Sequence, residues 1–260
     1  MRTSFLYGDN LLVNTVSRAA LILQYLADHD DQSVTEIAKV ISMPKSSAHS
    51  ILSTLDHYNL VEKDERTNRY HLGLKLIELG YQAQEELGLV KVARPFLQGL
   101  NQVTDETVHL AVLDHNDVLY IDCVESRLRL RTYAVIGVRA PLYCTSIGKA
   151  LLAWQPEADI NNYISSTELA TETPLTITDE AVLRIEMKKI RSQGYAIDDR
   201  EHEDHLRCIG APIRNVRGDA FASLSISGPE VRMTQDRILN LAPQIIDVAA
   251  EISHKLGYRN

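Results

Sequence analysis

The chain has 260 residues, 45% of them hydrophobic and 24% charged, the balance of a globular protein with room for one large domain or two small ones. No apolar run approaches the ~18 residues of a membrane span, and the opening MRTSFLYGDN has neither an apolar core nor a small-residue cleavage site, so a cytoplasmic protein is expected and a secreted one is not. Cys123, Cys144 and Cys208 are odd in number and far apart, which excludes a disulfide framework, and the net charge of −8 leaves any nucleic-acid binding to local arrangement of charge.

In chain order, residues 14–28 read as a helix whose apolar face is Ala19, Leu21, Ile22, Leu23, Tyr25 and Leu26. HDDQ ends it. SVTEIAKVI then opens with Ser33 and Glu36 at the S-x-x-E spacing of a capping box. SMP is a tight connection with Pro44 at the first turn of the next helix, MPKSSAHSILSTL, in which Ala48, Ile51, Leu52 and Leu55 form one apolar face. Two short helices joined by about four residues make a helix-turn-helix. NLVEKDERTNRYHLG follows as a β-hairpin around DERTN, the wing of a winged helix-turn-helix.

The stretch from 73 to 102 continues as amphipathic helix, broken near Gly88, so the chain divides into residues 1–73, a linker helix over 74–90, and a second domain over 91–260. In that second domain, ETVHLAVLDHNDVLYIDCVES reads as two apolar strands around DHND. TSIGKALLAW is a short helix, and TDEAVLRIEMKKIRSQG is a longer one running from a Thr178 cap to Gly194. RCIGAPIRNVRGDAFASLSISGP is a hairpin turning at NVRGD, and TQDRILNLAPQIIDVAAEISHKLG is a closing helix. Helices mixed with antiparallel strands imply an α+β fold with a sensor-like second domain.

The serine-rich face of the second short helix is the first candidate site. In a helix-turn-helix, the N-terminal residues of the second helix face base edges and phosphates, and small hydroxyl side chains allow close approach. Lys45 and His49 share a face with Ser46 and Ser50, with Ser47 beside them, while Arg66 and Arg69 fall in the wing turn. Arg18 on the first helix joins this DNA-binding set. Between residues 33 and 70, five basic residues balance five acidic ones, so the contact surface depends on where the charges point. A solvated face of a protein-interaction module is the alternative.

TVSRAALILQYLAD, VTEIAKVISMPKSSAHSILSTLDHYNLVEKDERTNRYHLGLKLIELG, GVRAPLYCTSIGKALLA, DDREHEDHLRCIGAPIRN and ASLSISGP together resemble a transcription regulator of the IclR family, over nearly the whole chain. The resemblance implies a winged-helix DNA-binding domain, a linker helix and a GAF-like effector domain, working as a dimer or dimer of dimers on operator DNA. It implies a repressor of a catabolic operon, without a cofactor, answering to a small organic acid or sugar acid. The family's effector pocket falls on Ser146, Ile147, Asp198, Cys208, Ser225 and Ser227, with apolar walls near Leu130 and Ala140. The chemistry suits an anion: the Ser146 and Ile147 amides begin a helix, and Ser225 and Ser227 point to one face of a strand. Asp198 as a turn cap, Cys208 as a small buried apolar group and outward-facing serines are the alternatives. Two positions depart from the family pattern: Arg200 interrupts an acidic run, as a cation near the pocket mouth suited to an anionic effector or as a partner of Glu201 or Glu203, and His205 replaces a glycine.

Three rival readings are weaker. CTSIGKA matches a phosphate-binding loop only at Gly148 and Lys149, since Tyr143 stands where a glycine is required. A redox enzyme using Cys123, Cys144 and Cys208 would need an activated thiol beside a resolving one. His109, His202, His205 and the cysteines lack the paired spacing of a zinc site, so no metal is expected.

Overall fold

A computed structural model describes residues 13–133 and 136–259; the opening MRTSFLYGDN lies outside the described residues. The chain divides into two compact units between Glu86 and Leu87. Among the described residues no helix is long and apolar enough to cross a membrane.

The first unit begins with α1 (Asn14–Asp28), followed by β1 (Gln32–Ser33), α2 (Val34–Val40) and α3 (Lys45–His57). The capping box is present in full: Ser33 Oγ accepts from Glu36 N, and Ser33 N donates to Glu36 Oε2 at 2.8 Å. Pro44 is the N-cap of α3 rather than a first-turn residue. Ser42 closes the connection in the left-handed region, with φ 54°. The wing is β2 (Val61–Asp64) paired antiparallel with β3 (Arg69–Leu72). β1, absent from the sequence pattern because two residues carry no period, adds a third strand on β3. Ile22 and Leu26 of α1, Ile37 of α2, and Ala48, Ile51, Leu52 and Leu55 of α3 build one core with Val61 and Tyr70. Ile22 and Leu26 are therefore committed inside the unit. The apolar residues that α1 and α4 (Lys75–Leu87) leave exposed are Val16, Leu21, Ile77, Leu79 and Tyr81.

The second unit starts at α5 (Leu89–Thr104), after Gly88 with φ 62°, the left-handed break where the helical region divides. Six antiparallel strands follow the order β6-β5-β4-β9-β8-β7, where β4 is Thr107–Asp114, β5 Asp117–Val124, β6 Arg139–Pro141, β7 Ala196–Asp199, β8 Leu206–Arg214 and β9 Ala220–Pro229. α5 and α9 (Gln235–Lys255) cover one face, burying Leu97, Leu110, Ile209, Leu224, Ile226 and Ile245 among others. The other face carries α6 (Ser146–Leu152), α7 (Glu157–Ser166) and α8 (Glu180–Gln193) around a second core. The α8 cap is Asp179, whose carboxylate accepts from Val182 N at 2.9 Å, and not Thr178; an acidic cap also complements the helix dipole. β6, β7 and α7 are short elements that the pattern leaves unmarked.

α6 lies against β8 with no space between backbones: a methyl group on Gly210 would sit 2.8 Å from the Ser146 carbonyl oxygen. Gly210→Ala is therefore expected to destabilise the second unit by about 1–3 kcal/mol, as overpacking does. Gly99→Ala, in an exposed stretch of α5 where a methyl meets nothing within 4 Å, should instead stabilise by about 1 kcal/mol. Urea unfolding of both variants checks the pair, and equal effects would contradict the close packing.

Candidate functional site

In the first unit, α3 turns its apolar residues inward, which fixes the opposite face outward. Lys45, Ser46, His49 and Ser50 are exposed, and Ser47 is half-buried. Ser50 Oγ donates to the Ser46 carbonyl at 3.1 Å, and Thr54 Oγ1 to the Ser50 carbonyl at 2.9 Å, so these hydroxyls lie close to the helix and keep the face low. Among the described residues neither Lys45 nor Arg18 has a charged partner. Arg66 stands at the wing tip with 92% of its side chain exposed. Arg69 does not share that tip: it opens β3, and its guanidinium donates to the Asp31 carbonyl and, at 3.2 Å, to Glu36 Oε2. That ties the wing to the capped start of α2, so Arg69 is a brace inside the unit.

The second unit holds a cavity of about 550 Å³ on the α6 side of the sheet. Antiparallel register builds its floor. Asp198 on β7 pairs with Cys208 on β8, and Cys208 with Ser227 on β9. Alongside runs a second row, Gly210, Ser225, His109 and Cys123, across β8, β9, β4 and β5. Small side chains in both rows leave the space that the cavity occupies. Ser146, Ala140 and Leu130 also line it, Leu130 at the mouth with 62% exposure. Ile147 does not: its side chain is buried in the core beneath α6.

The floor is polar but carries little net charge. Ser225 and Ser227 are buried, not outward-facing, with their hydroxyl oxygens 3.5 Å apart. Asp198 is 4% exposed, and its Oδ1 accepts from the Glu201 amide at 2.8 Å and the His202 amide at 3.4 Å. It thus caps a turn and faces the cavity at once. Burial pushes its carboxyl up to about 7, against the pull of the Lys149 ammonium. Lys149 has no exposure at all and pairs with Glu201, 4.0 Å from Glu186, which makes it a buried ion-pair residue and not a phosphate ligand.

Tyr120, which the sequence pattern does not mark, and His109, weighed there only as a metal ligand, form an aromatic wall with ring centroids 5.4 Å apart. Burial lowers His109 to about 4, so the ring is neutral, and its Nε2 donates to the Tyr133 carbonyl at 3.4 Å. The sign that marks it is a lone histidine in an apolar strand, in register with Ser225. Among the described residues lining the rim, both arginines are already matched, Arg131 by Glu125 and Arg139 by Asp114. Arg200 pairs with Asp199 at 3.0 Å and Glu230 at 3.1 Å, not with Glu201 or Glu203. Arg200 and His205 both take left-handed backbone, with φ of 61° and 64°.

The cysteines are buried free thiols, and burial pushes Cys123 and Cys144 up to about 12 and Cys208 well above its ordinary value. That is the reverse of the activation a redox centre needs. Among the described residues no three His, Cys, Asp or Glu side chains converge as a metal site.

Comparison with known proteins agrees with both units. The IclR helix-turn-helix domain matches residues 15–65, and the bacterial transcriptional regulator IclR C-terminal domain matches residues 81–254. The chain is 34% identical to the HTH-type transcriptional regulator KdgR of Escherichia coli over 248 residues, 95% of this chain and 94% of that one. It is 32% identical to the HTH-type transcriptional repressor AllR of Salmonella typhi over 245 residues, 94% of this chain and 90% of that one. The crystal structure of the Thermotoga maritima IclR superposes with a TM-score of 0.78 at 36% identity, covering 94% of this chain and 99% of that one. An IclR homologue from Microbacterium hydrocarbonoxydans complexed with 4-hydroxybenzoate gives 0.82 at 25% identity, covering 93% of this chain and 98% of that one. With a helix-turn-helix unit and a cavity-bearing unit matched in order along one chain, the protein belongs to the IclR family of bacterial transcriptional regulators, a DNA-binding regulator and not an enzyme.

Proposed function

We propose that the protein is a repressor of a catabolic operon whose operator affinity is changed by a small organic acid or sugar acid held in the second unit. Residues 74–90, with α4 as their helical part, connect a DNA-binding domain over 1–73 to an effector domain over 91–260. The observation that carries this reading is the buried, hydroxyl-lined cavity of about 550 Å³ on the same chain as an exposed Lys45, Ser46, His49 and Ser50 face. The relative complexed with 4-hydroxybenzoate supports an acid of this size. With DNA as its partner, the protein works in the bacterial cytoplasm.

The DNA side divides by role. Lys45, Arg18 and Arg66 meet phosphates, and Ser47 and His49 reach base edges. Lys45→Ala is expected to weaken operator binding and flatten its salt dependence by about 0.9 in log–log slope for each phosphate it no longer neutralises. His49→Ala should instead relax sequence preference. Fluorescence anisotropy at several salt concentrations separates the two, and a wild-type slope for Lys45→Ala would mean that the ammonium meets no phosphate.

The apolar residues exposed on α1 and α4 make the chain at least a dimer, since paired recognition helices match palindromic half-sites about one helical turn apart. A double Ile77→Glu, Tyr81→Glu variant should run as a monomer in light scattering; a dimer at wild-type strength would place the seam elsewhere.

Effector control requires the ligand to favour one arrangement of the two units over another, and operator DNA must then alter effector affinity by the same factor. With the rim cations paired, the acceptor-rich head of an acid is met by the serine hydroxyls and by Asp198 in its protonated form. Below about pH 7 Asp198 donates; above it, the ionised carboxyl repels the ligand. Calorimetry with a candidate carboxylate should show affinity falling from pH 6 to 8 in the wild type and staying level in Asp198→Asn. The same slope in both would take Asp198 out of the binding site.

A further inference from the structure

A second cavity, of about 590 Å³, shares no lining residue with the first. It forms where four elements end: Trp154 follows α6, Arg191 lies in the last turn of α8, Arg214 ends β8, and Tyr258 follows α9. The Arg214 guanidinium sits 3.8 Å from the centroid of the Trp154 ring and 5.3 Å from that of Tyr258, and donates to Tyr258 Oη at 2.8 Å. The Arg191 guanidinium lies 5.8 Å from the same indole and donates to the Gln155 carbonyl at 3.0 Å.

Two guanidinium groups thus converge on one ring, and among the described residues neither has a carboxylate partner. That is unlike Arg94, Arg139, Arg207 and Arg232 of the same unit, each held by an Asp or Glu. Among the described residues the one carboxylate lining the cavity is Glu251, and it pairs with neither arginine. In a chain of net charge −8 this is a local excess of positive charge that composition does not require. Stacking on the indole offsets part of the repulsion between the two cations but leaves in-plane N–H donors unused, in the fork geometry that suits a carboxylate. Pro212, Ile246 and Ala250 supply an apolar stretch of the same wall.

We propose that this cavity is a second small-molecule site, taking an organic acid with its carboxylate between Arg191 and Arg214 and its apolar body against Pro212, Ile246 and Ala250. The indole is the platform on which the cations are held. Among the described residues its own Nε1 is buried without a hydrogen-bond partner, so packing and the two guanidinium groups hold the ring.

Trp154 is the single tryptophan of the chain, so its emission reports on this cavity directly. The test titrates the full chain with cyclohexanecarboxylate, which does not absorb where indole does, and with neutral cyclohexanecarboxamide as control. The carboxylate should change Trp154 emission saturably in the wild type and in a Ser225→Ala, Ser227→Ala double variant of the first cavity. It should bind at least tenfold more weakly to Arg191→Gln and to Arg214→Gln, and the carboxamide should have no saturable effect. Arg191→Gln sits on an exposed helix end, which keeps the test decisive if Arg214→Gln unfolds. The proposal is overturned by no saturable change in the wild type, by an equal response to the carboxamide, or by wild-type affinity in Arg191→Gln. Loss of the response in the serine double variant alone would move the binding to the first cavity.

Discussion

A lysine with no access to water holds together the polar floor of the first cavity. Lys149 lies in the middle of α6, and its ammonium pairs with Glu201. The Glu201 amide in turn holds Asp198 Oδ1 at 2.8 Å. Removing one partner of such a pair leaves an uncompensated buried charge and costs about 3–5 kcal/mol, so the turn after β7 has little freedom to drift. The same ammonium moderates Asp198, which burial alone would push further from its ordinary value. Placement of the cavity's buried acid thus traces to one buried charge, while its protonation is set by burial and only moderated by that charge.

The loop that follows is held by a different device. Arg200 and His205 both occupy left-handed backbone, which non-glycine residues adopt at some cost. Glu230 receives both side chains, Arg200 at 3.1 Å and His205 Nδ1 at 2.9 Å. Together they pull the carboxyl of Glu230 below its ordinary range, His205 contributing most. A glycine at 205 would adopt the angle freely; the histidine adopts it while gaining a tether to the end of β9.

Much of the fold was legible because caps and periodicity are local. The Ser33–Glu36 box, the apolar face of α3, the Gly88 break and the β8–β9 turn each declare themselves within a few residues. The missed strands are those whose existence depends on a distant partner: β1 has two residues, β6 three and β7 four, too few to show a period, while the ten-residue α7 has only a weakly apolar face. The site divides in the same way. Asp198, Cys208, Ser225 and Ser227 were legible through likeness to a family pattern. His109 and Tyr120 enter the cavity wall only through strand register, which no single segment encodes, and Ile147, next to Ser146 at the start of α6, sends its side chain into the core instead. Arg69 shows the converse error, since an arginine beside a turn looks free until its partner 33 residues away is known.

The two small-residue rows also bear on how such a regulator diversifies. Gly210 fixes the distance between β8 and α6, and the strands beside it are locked by their ladder. What remains variable is the set of side chains standing on that fixed surface, short at Cys208, Ser225 and Ser227 and larger at His109. Exchanging one for another of similar bulk redraws the pattern of donors and acceptors without disturbing either core. A lineage built on this scaffold inherits a stable receptacle whose preferences can be rewritten one position at a time, and duplicated copies can part in what they sense long before they part in shape.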